Sequence, residues 1–391
     1  MKKILLILIF CTNILLLTGC WDRKETNDIS IVDGVSLDKK GELIELSAQI
    51  AIPRAMGGGQ HEGGGGGMLT MVRTGEGETI TDALAKLQEK LPRRVFWGHT
   101  KVIVIGEKLA KDGIRKELDF FVRHPQPSFR SYAFISKGRA KDVLQLSPPL
   151  ERSSSEVLRE LALSQNLMKV NLKDLLLMLI GDEGAAALPM IDISPPEKGQ
   201  KELQTIAYIN RTAIFKKDKM IGDIDDYLTR GVLWLRNEIK NANITVKPKD
   251  ANGSISVMLL HSNTELIPKI EDGKWKMTVR IITENDLIQN ASQLNSMNPT
   301  FTKLIETELG EDLKRRIQLA LQQIQKKKKA DILGFAGVFH GKYPKEWNKV
   351  KDHWDEIFPT VEVTLDTRIN LRRPGKATTP QGLPETEVKN K

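Results

Sequence analysis

The chain has 391 residues, with 59 Lys and Arg against 50 Asp and Glu, six His and two Cys. Its length suits two or three domains, and 40% apolar content is enough for folded cores. Two cysteines exclude a disulfide framework and a thiolate metal site. The +9 charge is interspersed with acids and only 5% aromatics, which argues against nucleic-acid binding.

Lys2 and Lys3 precede an apolar run from Ile4 to Leu17, interrupted only by Thr12 and Asn13. At 14 residues the run is shorter than the ~20 needed to cross a bilayer, and it has the length of a secretory signal core. Leu17-Thr18-Gly19-Cys20 follows and resembles a bacterial lipobox. Residues 1–19 are therefore expected to be a signal peptide cleaved between Gly19 and Cys20, with Cys20 lipidated. Two acyl chains anchor stably where one binds only marginally. Residues 20–28 form the expected tether. Cys11 leaves with the signal, so no disulfide forms within the mature chain.

Ile29 to Leu37 and Glu42 to Ile52 alternate as a β-hairpin turning at Lys39-Lys40-Gly41. Gly57 to Gly67 holds eight glycines in eleven residues. It lacks the Lys-Ser/Thr of a phosphate loop, and Gly65 stands where a zincin motif begun at His61-Glu62 needs its second His. A flexible surface loop is expected. A strand at Leu69 to Arg73 and a helix at Thr79 to Lys90 follow. Lys101 to Ile105 reads as a strand and Glu107 to Arg123 as a helix broken near Gly113. Phe129 to Ile135 is a strand, and Ala140 to Leu146, Ser153 to Asn166 and Leu172 to Ile180 are helices, the last capped by Asn171. Ser194-Pro195-Pro196-Glu197-Lys198-Gly199 has linker composition, which places the expected main boundary between 29–199 and 200–373.

In the second half, Leu203 to Phe215 is a strand and Asp223 to Lys240 a helix. Ile244 to Lys247, Ser254 to Ile270 and Lys274 to Thr283 form an antiparallel meander, with tight turns at Asn252-Gly253 and Asp272-Gly273. The longest helix opens at Asn298-Pro299 and runs to Lys326-Lys327-Lys328-Lys329, with Gly310 a candidate bend. The four lysines suit a helix C-terminus. They read as a lipid-headgroup patch, a docking surface for an acidic partner loop, or a solvated helix end. Val361 to Leu371 is an alternating strand, and a flexible tail covers 374–391. The expected fold is α+β and multi-domain, with mixed, largely antiparallel sheets and packed helices.

Catalytic constellations are missing. The six histidines (61, 99, 124, 261, 340, 353) lack metal-ligand spacing. His340 and His353 have acids nearby (Glu346, Asp352, Asp355, Glu356), but lie thirteen residues apart among aromatics, as packing or surface groups do. There is no nucleophile elbow, dinucleotide fingerprint or EF-hand loop. The expectation is no enzyme, no cofactor and no metal.

Four stretches in order carry a family resemblance: Cys20-Trp21-Asp22-Arg23-Lys24-Glu25 with Asn27-Asp28; Gly98 to Glu107 with Asp119 to Arg123; Thr212 to Lys219 continuing to Thr229 to Trp234; and Asp331 to Asp355. Together they resemble the Ger(x)C family, the lipoprotein C subunits of bacterial spore germinant receptors. The glycine-rich loop does not match the family pattern. The resemblance implies a three-domain α+β lipoprotein without catalytic activity, held on the outer face of the inner spore membrane beside multi-pass A and B subunits. Such receptors respond to small nutrients. The alternative from another class is a free-standing extracytoplasmic solute-binding or envelope lipoprotein. The two halves lack the βα repetition of a hinge-linked pair of lobes.

Overall fold

The computed structural model describes residues 28–52, 69–249, 251–296, 298–373 and 387–388. Cys20, the tether, the glycine-rich loop and most of the tail lie outside the described residues. The fold is α+β, as expected, and its β-structure forms two mixed sheets.

β1 (Ile29–Lys40) and β2 (Leu43–Ala51) make the expected hairpin, with Gly41 in its turn at φ +61°. β3 (Thr70–Gly77) extends it antiparallel, and α1 (Ile80–Gln88) packs on β3. Thr79 caps α1, its hydroxyl accepting from the Asp82 N–H. β4 (Arg94–Phe96) pairs parallel with the first residues of β1, and β5 (Val102–Gly106) with later ones. All five residues of β5 are buried, as in a parallel strand covered on both faces.

The covers come from the crossovers. α2 (Glu107–Asp112) and α3 (Arg115–Arg123) break at Gly113, φ +129°, and lay Leu109, Leu118 and Phe121 on one face. β6 (Tyr132–Ser136) then pairs parallel with β5. α4 (Ala140–Leu144) and α5 (Ser154–Ser164) lay Val143, Leu144 and Leu158 on the opposite face. α6 (Leu172–Ile180) starts with a full capping box between Asn171 and Asp174. β7 (Ala185–Ile193) joins β6 in parallel, and β8 (Ala207–Lys216) and β9 (Lys219–Asp225) complete the sheet antiparallel. Its order is β3-β2-β1-β5-β6-β7-β8-β9, with β4 beside β1. The strands flanking Ser194–Gly199, β7 and β8, are therefore direct neighbours.

The helix expected from Asp223 starts later. Residues to Asp225 pair with β8 as β9, because Lys217 turns the chain at φ +56° and brings Lys219 opposite Lys216. α7 (Asp226–Leu235) begins there, capped by Asp225, and stops before Lys240. Asn237 adopts φ +56° and accepts the Thr264 N–H on its side chain, a tertiary contact that ends the helix.

The second sheet has the order β10-β11-β12-β13: β10 (Asn243–Val246), β11 (Ile255–Glu271), β12 (Lys274–Asn290) and β13 (Glu362–Arg373). The first three form the expected meander, turning between β11 and β12 at Asp272-Gly273. β13 adds in parallel. α8 (Pro299–Leu321) buries Phe301, Ile305, Leu309, Leu313 and Ile317. Gly310 is buried, a Cβ added there would meet Ile369 at an ordinary 3.6 Å, and the irregularity lies further on, in a π-helical segment from Gln322 to Lys328. α9 (Phe335–Lys342), α10 (Pro344–Val350) and α11 (Trp354–Ile357) close the structure around Trp275, Phe339, Trp347 and Trp354.

Candidate functional site

Between α6, the end of α7, β11 and the segment before α9 lies a cleft of about 510 Å³. Two charged residues organise it. Arg236 follows α7, donates to the Ile332 carbonyl at 2.7 Å and pairs with Glu238 at 2.7 Å. Asp331 is fully buried. Its carboxylate accepts from the backbone N–H groups of Leu333, Phe335 and Ala336 at 2.7–3.2 Å and from the Trp354 indole at 2.9 Å. Burial pushes its pKa up to about 6, although the Ala336 and Trp354 donors pull it down. Asp331 thus caps α9 and ties it to α11. Glu183 accepts the Gly337 N–H at 3.2 Å, and Asp182 meets His340 Nδ1 at 2.6 Å. These groups satisfy one another, and the cleft presents no nucleophile with an adjacent base. Its chemistry is that of a clamp between the two halves of the chain.

The lysine run divides. Lys326 donates to the Pro359 carbonyl at 2.5 Å and Lys328 to that of Ile221 at 3.3 Å; Lys326, Lys327 and Lys329 are exposed and Lys328 half-buried. Lys329 turns at φ +51° and ends the π-helical segment. His340 and His353 also part company: His340 stacks on Trp347, and His353 stands 3.9 Å from Glu356. His99 packs edge-on against Phe96, and His124 sits beside Trp97 and Phe120, where burial lowers its pKa. Among the described residues no group of three or more His, Cys, Asp or Glu is placed to hold a metal ion. Sequence reasoning did not single out Arg236 or Asp331. The Asp331 to Asp355 stretch signalled the region but not which carboxylate it buries.

The description "Spore germination protein N-terminal domain" matches residues 22–193, and "Spore germination B3/ GerAC like, C-terminal" matches residues 210–375. The chain belongs to the Ger(x)C family. This Ger(x)C chain is 28% identical to spore germination protein KC of Bacillus subtilis (strain 168) over 97% of its own length and 98% of the relative's. To spore germination protein B3 of the same organism it is 26% identical, over 92% and 94%. The crystal structure of the GerBC protein matches its fold with TM-score 0.58 and 21% identity, covering 86% of the Ger(x)C chain and 96% of the solved one. Among the described residues, no helix of the Ger(x)C chain is long and apolar enough to cross a membrane.

Proposed function

We propose that this chain is the lipid-anchored, non-enzymatic C subunit of a nutrient germinant receptor. It is held through Cys20 on the outer face of the inner spore membrane, beside multi-pass A and B subunits. The observation that carries the reading is the full-length likeness to the germination proteins KC and B3, in which both halves take part. The self-satisfied cleft around Asp331 and Arg236 supports a binding rather than a reacting molecule. Lys327 and Lys329 are the members of the lysine run left to meet an acidic partner loop.

Native purification from detergent-solubilised spore inner membranes, with mass spectrometry of the companions, tests the reading. Two multi-pass proteins are expected, and both should be lost with Cys20→Ala. Recovery of this chain alone, from vegetative cells as much as from spores, overturns it.

A further inference from the structure

β1 enters the first sheet at one of its ends. β1, β5 and β6 are adjacent and parallel, so their first residues share one end. At that end Asp28 accepts the Arg94 N–H at 3.1 Å, and Ser30 donates to the Arg93 carbonyl at 3.4 Å. One strand over, Thr100 accepts from the Ser131 hydroxyl at 2.7 Å. The Phe129 carbonyl takes the Lys173 N–H at 3.1 Å. Arg94, Arg130 and Lys173 are exposed and Arg93 half-buried. Among the described residues none of these four has a carboxylate within ion-pair distance. The acids close by are already engaged: Asp33 and Glu156 hold Lys101 at 3.4 and 2.5 Å, and Asp174 completes the α6 capping box. Asp28 itself is an exposed acid at the edge. Phe129 stands among the cations with 45% of its surface in water.

We infer that this end of the sheet is a membrane-facing surface, with Arg93, Arg94, Arg130 and Lys173 on anionic lipid headgroups and Phe129 at the interface. The inference rests on lipidation of Cys20 as proposed above. Seven residues separate Cys20 from Asp28, and the eight backbone steps between them span at most about 28 Å. β1 is 12 residues long, roughly 40 Å at 3.3 Å per residue. The tether is too short to stand the sheet on its other end, so the surface around Asp28 is the one the anchor holds against the lipid. Basic side chains there gain from the negative surface potential, and an aromatic ring suits the headgroup level.

With Cys20 acylated and Cys11 cleaved away, Phe129→Cys introduces the sole thiol, which accepts an environment-sensitive fluorophore. The lipoprotein is purified from membranes and reconstituted in vesicles of phosphatidylcholine with or without 30 mol% phosphatidylglycerol. Flotation reads the anchor, and quenching by shallow spin-labelled lipids reads the surface. The expected result is flotation with both compositions, but strong quenching only with phosphatidylglycerol. One molar salt shortens the screening length to about 3 Å and should abolish quenching without releasing the protein. A label at Glu42→Cys, at the far end of β1, should stay unquenched. Flotation with an unquenched 129 label, or quenching equal at 129 and 42, overturns the surface while leaving the anchor intact. Failure to float overturns both. The variant Arg94→Glu/Arg130→Glu/Lys173→Glu should float like wild type and lose the quenching; quenching that persists in it also overturns the surface.

Discussion

Asp331 shows how one buried side chain sets the state of a whole region. Its carboxylate terminates three backbone N–H groups and an indole N–H within the aromatic cluster of the second half. Asp331→Ala leaves four donors without an acceptor and should cost roughly 3 kcal/mol or more by urea denaturation. The pH dependence has a definite sign. Its proton is held more tightly folded, at about 6, than the ordinary 3.8. The titration therefore favours the fold fully below about pH 3.8, and that increment is lost as pH rises through about 6. The shift is worth about 3 kcal/mol. The stability difference between wild type and Asp331→Asn should shrink by about that much between pH 4 and pH 7, and a flat difference would show that the carboxyl titrates normally. At Gly231 the limit is space. A Cβ there would lie 2.9 Å from the Ala320 Cβ and 3.0 Å from the Arg316 carbonyl oxygen. Overpacking of about 1–3 kcal/mol outweighs the ~1 kcal/mol of helix propensity that Ala brings, so Gly231→Ala should lower the denaturation midpoint.

At the scale of elements, the π-helical segment after α8 is the informative departure. A regular helix would carry Gln322 to Lys328 on at 100° per residue. The wider turn instead places Gln325, 3% exposed, where its amide donates to the Phe358 and Val361 carbonyls at 2.9 and 2.7 Å. Those two bonds fix the entry to β13 and thereby the parallel strand at the edge of the second sheet. Gln325→Leu keeps the volume but removes both bonds, leaving the Val361 carbonyl without its side-chain donor while the Phe358 carbonyl keeps the Val361 N–H at 3.3 Å, so a loss of about 1–3 kcal/mol is expected. Unaltered stability in denaturant would mean that water replaces the amide. The N-caps were readable because they are local: Thr79, Asn171 and Asn298 each accept from an N–H within three residues. The π-helical segment was not readable, because its partners lie more than thirty residues away.

At the scale of the molecule, the first sheet runs straight through the Ser194–Gly199 stretch, since β7 pairs with β8 over nine residues. A chain ended at residue 199 would expose the apolar edge of β7, and open edges of that kind recruit other strands. Such a fragment is expected to aggregate in size-exclusion chromatography where the full chain does not. The two halves are also clamped by Asp182 with His340 at 2.6 Å and by Glu183 with the Gly337 N–H at 3.2 Å. What the sequence determined alone were the features written in adjacent residues: the hairpins at Gly41 and Gly273, the break at Gly113 and the apolar stripe of α8. Family membership was also legible there, because its motifs are short runs in fixed order. The tertiary structure decided the rest. β4 is too short to carry a period, and β7 (Ala185-Ala186-Ala187-Leu188-Pro189) is a short apolar run, ambiguous without its neighbours. It decided too which of the four lysines donate to distant carbonyls and which cations without a carboxylate partner lie at the end of the sheet where β1 begins. Those outcomes depend on which distant carbonyls and carboxylates the fold brings within about 3 Å, and adjacent residues carry no record of that.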